Sequence, residues 1–213
     1  MERVVIWSGE GVDQDGDWHV EFARVDFGSA GLSAVGTQLG AVPVPYRLDY
    51  ELDATVDGFV TRSLQVEAVG EGWERRLRLE RGEDGEWSID VEAAGDTSLE
   101  APGGDAGLLT GALDCDLGLS PLTNAMPVHR HSLHSEPGEK DFVMAWVLVP
   151  DLAVHASSQR YKHLRQRDGT STVRFENFED GEVAFTSDLE FSDDGLISVY
   201  PKLAKRIAMP ARF

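Results

Sequence analysis

Two aspartates flanking a cysteine, Asp114-Cys115-Asp116, are the first residues in this chain whose types and spacing suit chemistry. On an extended strand the two carboxylates face one way and Cys115 the other. Such a pair can hold a divalent cation or share acid–base work. In a chain with 38 acidic residues it also fits a solvated acidic surface. His129, His131 and His134 form a second constellation. A strand would put His129 and His131 on one face, a spacing zinc tolerates, but no second group of Cys and His supports them, so no metal site is expected. There is no Gly-x-Ser-x-Gly elbow and no Gly-x-x-x-x-Gly-Lys-Ser/Thr loop, so neither a nucleophilic enzyme nor a bound cofactor is indicated. What remains is a set of polar residues beside apolar strands: Thr61-Arg62, Thr123-Asn124, Arg130, and Gln159 with Tyr161. These types suit a polar head group, and they equally suit turn capping and backbone satisfaction inside a sheet.

The elements that must position these residues read as short strands broken by turns. Trp18 to Phe27, Tyr46 to Thr55, Phe59 to Val69 and Trp73 to Arg81 alternate, and Glu86 to Val91 follows. After an Ala-, Gly- and Pro-rich stretch from Ala93 to Gly107, read as a surface loop, strands resume at Ala112 to Leu117 and Val128 to Leu133. Others follow at Asp141 to Val149, Gln159 to Arg167, Ser171 to Phe178, Glu182 to Phe191 and Leu196 to Tyr200. Asp57-Gly58, Asp84-Gly85, Asp168-Gly169, Asp180-Gly181 and Asp194-Gly195 are hairpin signals between them. Helical periodicity is confined to one turn at Pro201 to Ile207. About a dozen strands in one sheet must twist and curl. The expectation is therefore an all-β protein, residues 1–213 forming one domain, with a single strongly curved antiparallel sheet as a half-barrel or flattened barrel and few short helices.

Composition narrows the partners. The net charge of −19 opposes binding to nucleic acid or to anionic membrane surfaces. Basic residues are mostly arginine, with lysine only at Lys140, Lys162, Lys202 and Lys205, a bias that together with the acidity points to a halophilic host. No apolar run approaches a transmembrane segment, and Met1 to Glu10 does not resemble a secretory signal. The single cysteine permits no internal disulfide, consistent with a cytoplasmic location. Open sheet edges allow a monomer or a homodimer.

Several stretches in order carry a family resemblance. They are Tyr50-Glu51-Leu52 with Thr61-Arg62; Gly85-Glu86-Trp87; Gly111 to Leu117; Ser120-Pro121-Leu122-Thr123-Asn124-Ala125-Met126-Pro127-Val128-His129-Arg130; Gln159-Arg160-Tyr161; and Gly195 to Pro201. Together they resemble a glycolipid-binding family of bacteria and archaea. The resemblance implies one curved antiparallel sheet, like that of carriers moving lipoproteins and glycolipids. It also implies ligand-binding roles for Arg62, Asp114, Asp116, Thr123, Asn124, Arg130, Gln159 and Tyr161. His129 and His131 depart from the family pattern. The leading expectation is a lipid or glycolipid held by its tails in a concave apolar face, with Arg62, Asn124 and Arg130 at its head group. An enzyme using Asp114 and Asp116, or a protein-interaction domain, are the alternatives.

Overall fold

A computed structural model describes residues 2–9, 18–28, 31–95 and 97–208. Met1 and Glu10, and residue 96 of the Ala93–Gly107 stretch, lie outside the described residues. The first half is a run of seven strands: β1 (Glu2–Gly9), β2 (His19–Gly28), β3 (Gly31–Gly40), β4 (Tyr46–Ala54), β5 (Thr61–Gly70), β6 (Trp73–Arg81) and β7 (Trp87–Gly95). A 3-10 turn at Ala106–Leu109, strand β8 (Asp114–Leu117) and helix α1 (Ala125–Arg130) follow. The second run is β9 (Glu139–Val147), β10 (Val154–Arg167), β11 (Thr170–Glu179), β12 (Glu182–Phe191), β13 (Ile197–Tyr200) and β14 (Ala204–Arg206).

All fourteen strands form one sheet in the order 7-6-5-4-3-2-1-14-13-12-11-10-9-8, which does not close into a barrel. Neighbours pair antiparallel except β8 on β9, which is parallel. The sheet is thus two meanders joined where the first strand meets the last, through Trp7↔Arg206 and Gly9↔Ala204. Two contacts secure that short seam. The indole of Trp7, fully buried, donates to the Ile197 carbonyl at 2.8 Å. The Asp194 carboxylate, in the β12–β13 turn, accepts from both Arg3 and Arg206. At Asp168-Gly169 and Asp180-Gly181 both turn residues have positive φ, as two-residue hairpins of right-twisted strands require.

Strand β3 lacks a signal in the sequence because glycines interrupt its alternation, and their place explains them. A Cβ on Gly36 would lie 2.3 Å from the Tyr50 ring, and one on Gly40 2.2 Å from the Tyr46 ring. The tyrosines of β4 lie flat over the glycines of β3, filling the space their side chains leave. Two expectations are corrected. Val128 to Leu133 is not a strand: its first part belongs to α1, started by Asn124 with Pro127 in the first turn, where proline's missing N–H costs nothing. Pro201 to Ile207 holds a turn and β14, which lies between β1 and β13 in the sheet, instead of a helical turn.

The Ala93–Gly107 stretch is likewise no surface insertion over its whole length. Its start completes β7, and beyond it the Arg75 guanidinium, almost fully buried, donates to the Leu99, Glu100 and Asp151 carbonyls. From there the chain enters the hollow of the sheet. Leu109, Ala112, Cys115, Leu117, Leu122, Ala125 and Met126 are fully buried in one cluster with Val5, Leu48, Leu64 and Leu79 from the strands. A second cluster, around Tyr161, Phe175, Phe191 and Tyr200, packs under α1 and β10–β13. The concave face is therefore filled by the protein's own residues 97–138.

Candidate functional site

The filling segment is where the chemistry converges. In β8 all four residues are buried. Asp114 and Asp116 point one way and Cys115 the other, where its amide donates to the Thr61 hydroxyl at 3.0 Å. Asp114, with no exposure at all, accepts both Nη atoms of Arg130 from α1, and Arg130 also donates to the Gly58 carbonyl at 3.1 Å. Two residues on, Asp116 accepts from the Thr123 hydroxyl at 3.1 Å and the Gln159 amide at 2.7 Å. The network continues: the Tyr161 hydroxyl donates to Gln159 Oε1 at 3.2 Å and accepts from Asn124 Nδ2 at 2.7 Å. Burial raises the pKa of both aspartates, against the lowering effect of these donors.

Seven of the eight residues expected at a site thus form two adjoining networks, Asp114 with Arg130, and Asp116 with Thr123, Gln159, Tyr161 and Asn124. Arg62 lies apart. It sits on the exposed face of β5, 3.5 Å from Asp53, and does not reach the buried aspartates.

Over the second network opens a cavity of about 400 Å³. Asp116, Asn124 and Gln159 lie at its polar side, with Ser157, Asn177 and Ser120. Trp146, Leu148, Val149, Phe175, Phe185 and Leu203 form its apolar walls. Ser157 bridges Gln159 and Asn177, with contacts of 3.2 and 2.8 Å. Tyr200 also lines the cavity, its hydroxyl making no hydrogen bond among the described residues. Burial, and after it the Asp116 carboxylate, raise the pKa of that phenol. Phe185 follows a β-bulge, since Asn177 pairs with Phe185 but Phe178 with Val183, leaving Ala184 unmatched. Bulges of this kind commonly re-aim a side chain beside a site.

A family model described as "Putative glycolipid-binding" matches residues 4–206. The chain belongs to that family. Among solved structures, a DUF1089 family protein from Pseudomonas aeruginosa is 23% identical, with 93% of this chain and 97% of that one aligned at a TM-score of 0.67, a likeness of fold. A beta-barrel-like protein of the DUF1849 domain from Brucella abortus aligns over 97% of this chain and 95% of its own at 8% identity and a TM-score of 0.47. No curated protein matches the chain. The stretches that carry the glycolipid-binding family's pattern, scattered along the sequence, meet around the filling segment. Trp87 donates to the Ala112 carbonyl at 3.1 Å, Thr61 meets Cys115, and Gln159 and Tyr161 meet Asp116 and Asn124.

Sequence reasoning missed Glu21. It stands fully buried on β2, its Oε1 accepting from the Tyr50 hydroxyl at 2.5 Å and the Ser120 hydroxyl at 2.8 Å, and its Oε2 without a partner. Gln38, paired with it across β2–β3, has an unpartnered buried Oε1 as well. Burial pushes the Glu21 carboxyl up to about 7. The signal was its phase: Glu21 alternates with Ala23 and Val25, which face the core. The histidines do not gather around an ion. His129 packs against Phe27 and Phe59 and, at 4.7 Å between centroids, against His134, while His131 packs against Phe142. Among the described residues no group of three or more potential ligands is close enough to hold a metal.

Two predictions follow from these buried charges. Removing the cation in Arg130→Leu leaves Asp114 buried without its partner, a change that costs about 3–5 kcal/mol. The double variant Asp114→Leu/Arg130→Leu recovers most of that loss, as read by urea unfolding. The second concerns pH. The folded state holds the Glu21 proton up to about pH 7, whereas the unfolded chain releases it near the ordinary 4.5. Between those values the native state binds more protons, so this contribution to stability is complete at the acid end and is lost as pH rises through about 7. Glu21→Gln is therefore expected to flatten the decline in melting temperature across that window, measured by calorimetry beside the unaltered protein.

Proposed function

We propose that the chain binds a glycolipid by its head group, in the cavity over Asp116. The observation that supports this reading best is the composition of that cavity. A hydrogen-bonded polar side, Asp116, Gln159, Asn124 and Ser157, faces aromatic and aliphatic walls, as sites for amphipathic small molecules do. Hydroxyls of a sugar meet acceptors and amides on one side, and the start of a tail meets Phe185, Leu148 and Leu203 on the other. At about 400 Å³ the cavity is near the lower end of the range of roughly 300–1,000 Å³ typical of small-molecule sites. It suits a head group and the first part of a tail, with the rest of the tails remaining outside. The large apolar hollow expected for whole tails is occupied instead by residues 97–138.

The enzyme reading is weaker on the same geometry. A carboxylate pair doing acid–base work needs two groups facing one substrate, and Asp114 is committed to Arg130. Among the described residues no helix is long and apolar enough to cross a membrane.

The test is extraction of gently purified protein with organic solvent, followed by mass spectrometry of the extract. A glycolipid is expected near one per chain. Phe185→Asp, which places a charge on an already half-exposed wall, is expected to abolish its recovery. Arg62→Ala is expected to leave recovery unchanged. A lipid-free extract, together with failure to take up glycolipid on incubation, would remove the reading.

A further inference from the structure

We propose that the cavity over Asp116 selects an uncharged, polyhydroxylated head, a neutral glycosyl group, and rejects phosphate, sulfate and carboxylate heads. The inference rests on the binding reading above and narrows its ligand.

Charge carries the argument. The ionisable residues with charged forms at the lining are two carboxylates, Asp116 and Glu179, and among the described residues no lysine, arginine or histidine lines the cavity. An anion entering it would approach Asp116 in a space walled by Trp146 and Phe185, where water screens poorly. The two arginines of the family pattern do not relieve this. Arg130 gives its Nη atoms to Asp114 and the Gly58 carbonyl, and Arg62 pairs with Asp53 on the outer face. The net charge of −19 adds a field of the same sign.

Hydrogen-bond capacity fits a sugar in the positive sense. Each Asp116 oxygen receives one protein donor, Thr123 or Gln159, and keeps a further lone pair for a ligand hydroxyl. The Tyr200 hydroxyl at the cavity, with no hydrogen bond among the described residues, can both donate and accept. Sugar hydroxyls do both as well, whereas a phosphate offers acceptors to a site already rich in them. The aromatic walls offer apolar faces to the C–H side of a pyranose ring.

A series of ligands with one tail and different heads tests this on the unaltered protein. Octyl glucoside, octyl phosphate and octyltrimethylammonium are titrated by calorimetry, each below its critical micelle concentration. Saturable binding of the glucoside is expected, at least tenfold tighter than the phosphate and unchanged between low and high salt, because a neutral ligand is not screened. Asp116→Asn, checked for an intact thermal transition, is expected to weaken the glucoside several-fold. Phosphate bound as tightly as the glucoside would overturn the inference and leave the binding reading standing. So would octyltrimethylammonium bound more tightly than the glucoside, which would make the site one for cations. Binding of none of the three would overturn the binding reading itself, and this inference with it.

Discussion

An open sheet of fourteen strands has a hollow that must be filled, and this chain fills it with its own residues 97–138, which bring carboxylates into the interior. A buried carboxylate is tolerable only when its oxygens are met by donors or when it holds a proton. Asp114 is met by the arginine of α1, Asp116 by a hydroxyl and an amide, and Glu21 by two hydroxyls on one oxygen alone. Much else in the molecule follows from this constraint. Helix α1 lies where Arg130 reaches Asp114, β10 carries Gln159 to Asp116, and Tyr50 and Ser120 meet over Glu21. The two halves of the sheet are held to one interior by Trp7 and Asp194 at the β1–β14 seam.

The same constraint separates polar groups committed inside the fold from those at the cavity edge. The Asp114–Arg130 pair turns inward, with Arg130 giving a further bond to a backbone carbonyl, so it serves the fold. Asp116 keeps slight exposure and capacity for further hydrogen bonds at the edge of the cavity. Glu21 lies behind Ser120, which itself lines that cavity and donates to Glu21 Oε1. Asp116, Ser120, Asn124, Gln159 and Tyr200, which line the cavity, lie in stretches that carry the family resemblance in the sequence.

Much of the sheet was legible because alternation and Asp-Gly turns are local signals: Trp73–Arg81 and Glu182–Phe191 have the same bounds in sequence and structure. Strand β3 was not, because Gly36 and Gly40 answer to tyrosines on the next strand, a requirement invisible within β3 itself. The stretch after Pro127 reads as a strand that puts His129 and His131 on one face, because the helix it belongs to is short and its first position, Asn124, makes no side-chain cap hydrogen bond. The aspartates and their partners were legible as residue types, but not which of them face ligand space. Arg62 and Arg130 looked alike in sequence, and only the fold puts one on the outer surface and the other into an internal ion pair. Glu21 was hidden among many acidic residues, although its phase with Ala23 and Val25 placed it on the core side.

The central claim is the location of the site, and chemical-shift mapping of the backbone amides during titration with an alkyl glycoside tests it most directly. The account predicts saturable shifts concentrated at residues 116–120, 157–159 and 177, with the outer face of β2–β7 unmoved. Shifts gathered instead in the outer groove around Phe22, Val35 and Thr37, or in the groove beside Lys140 and Arg160, would contradict it.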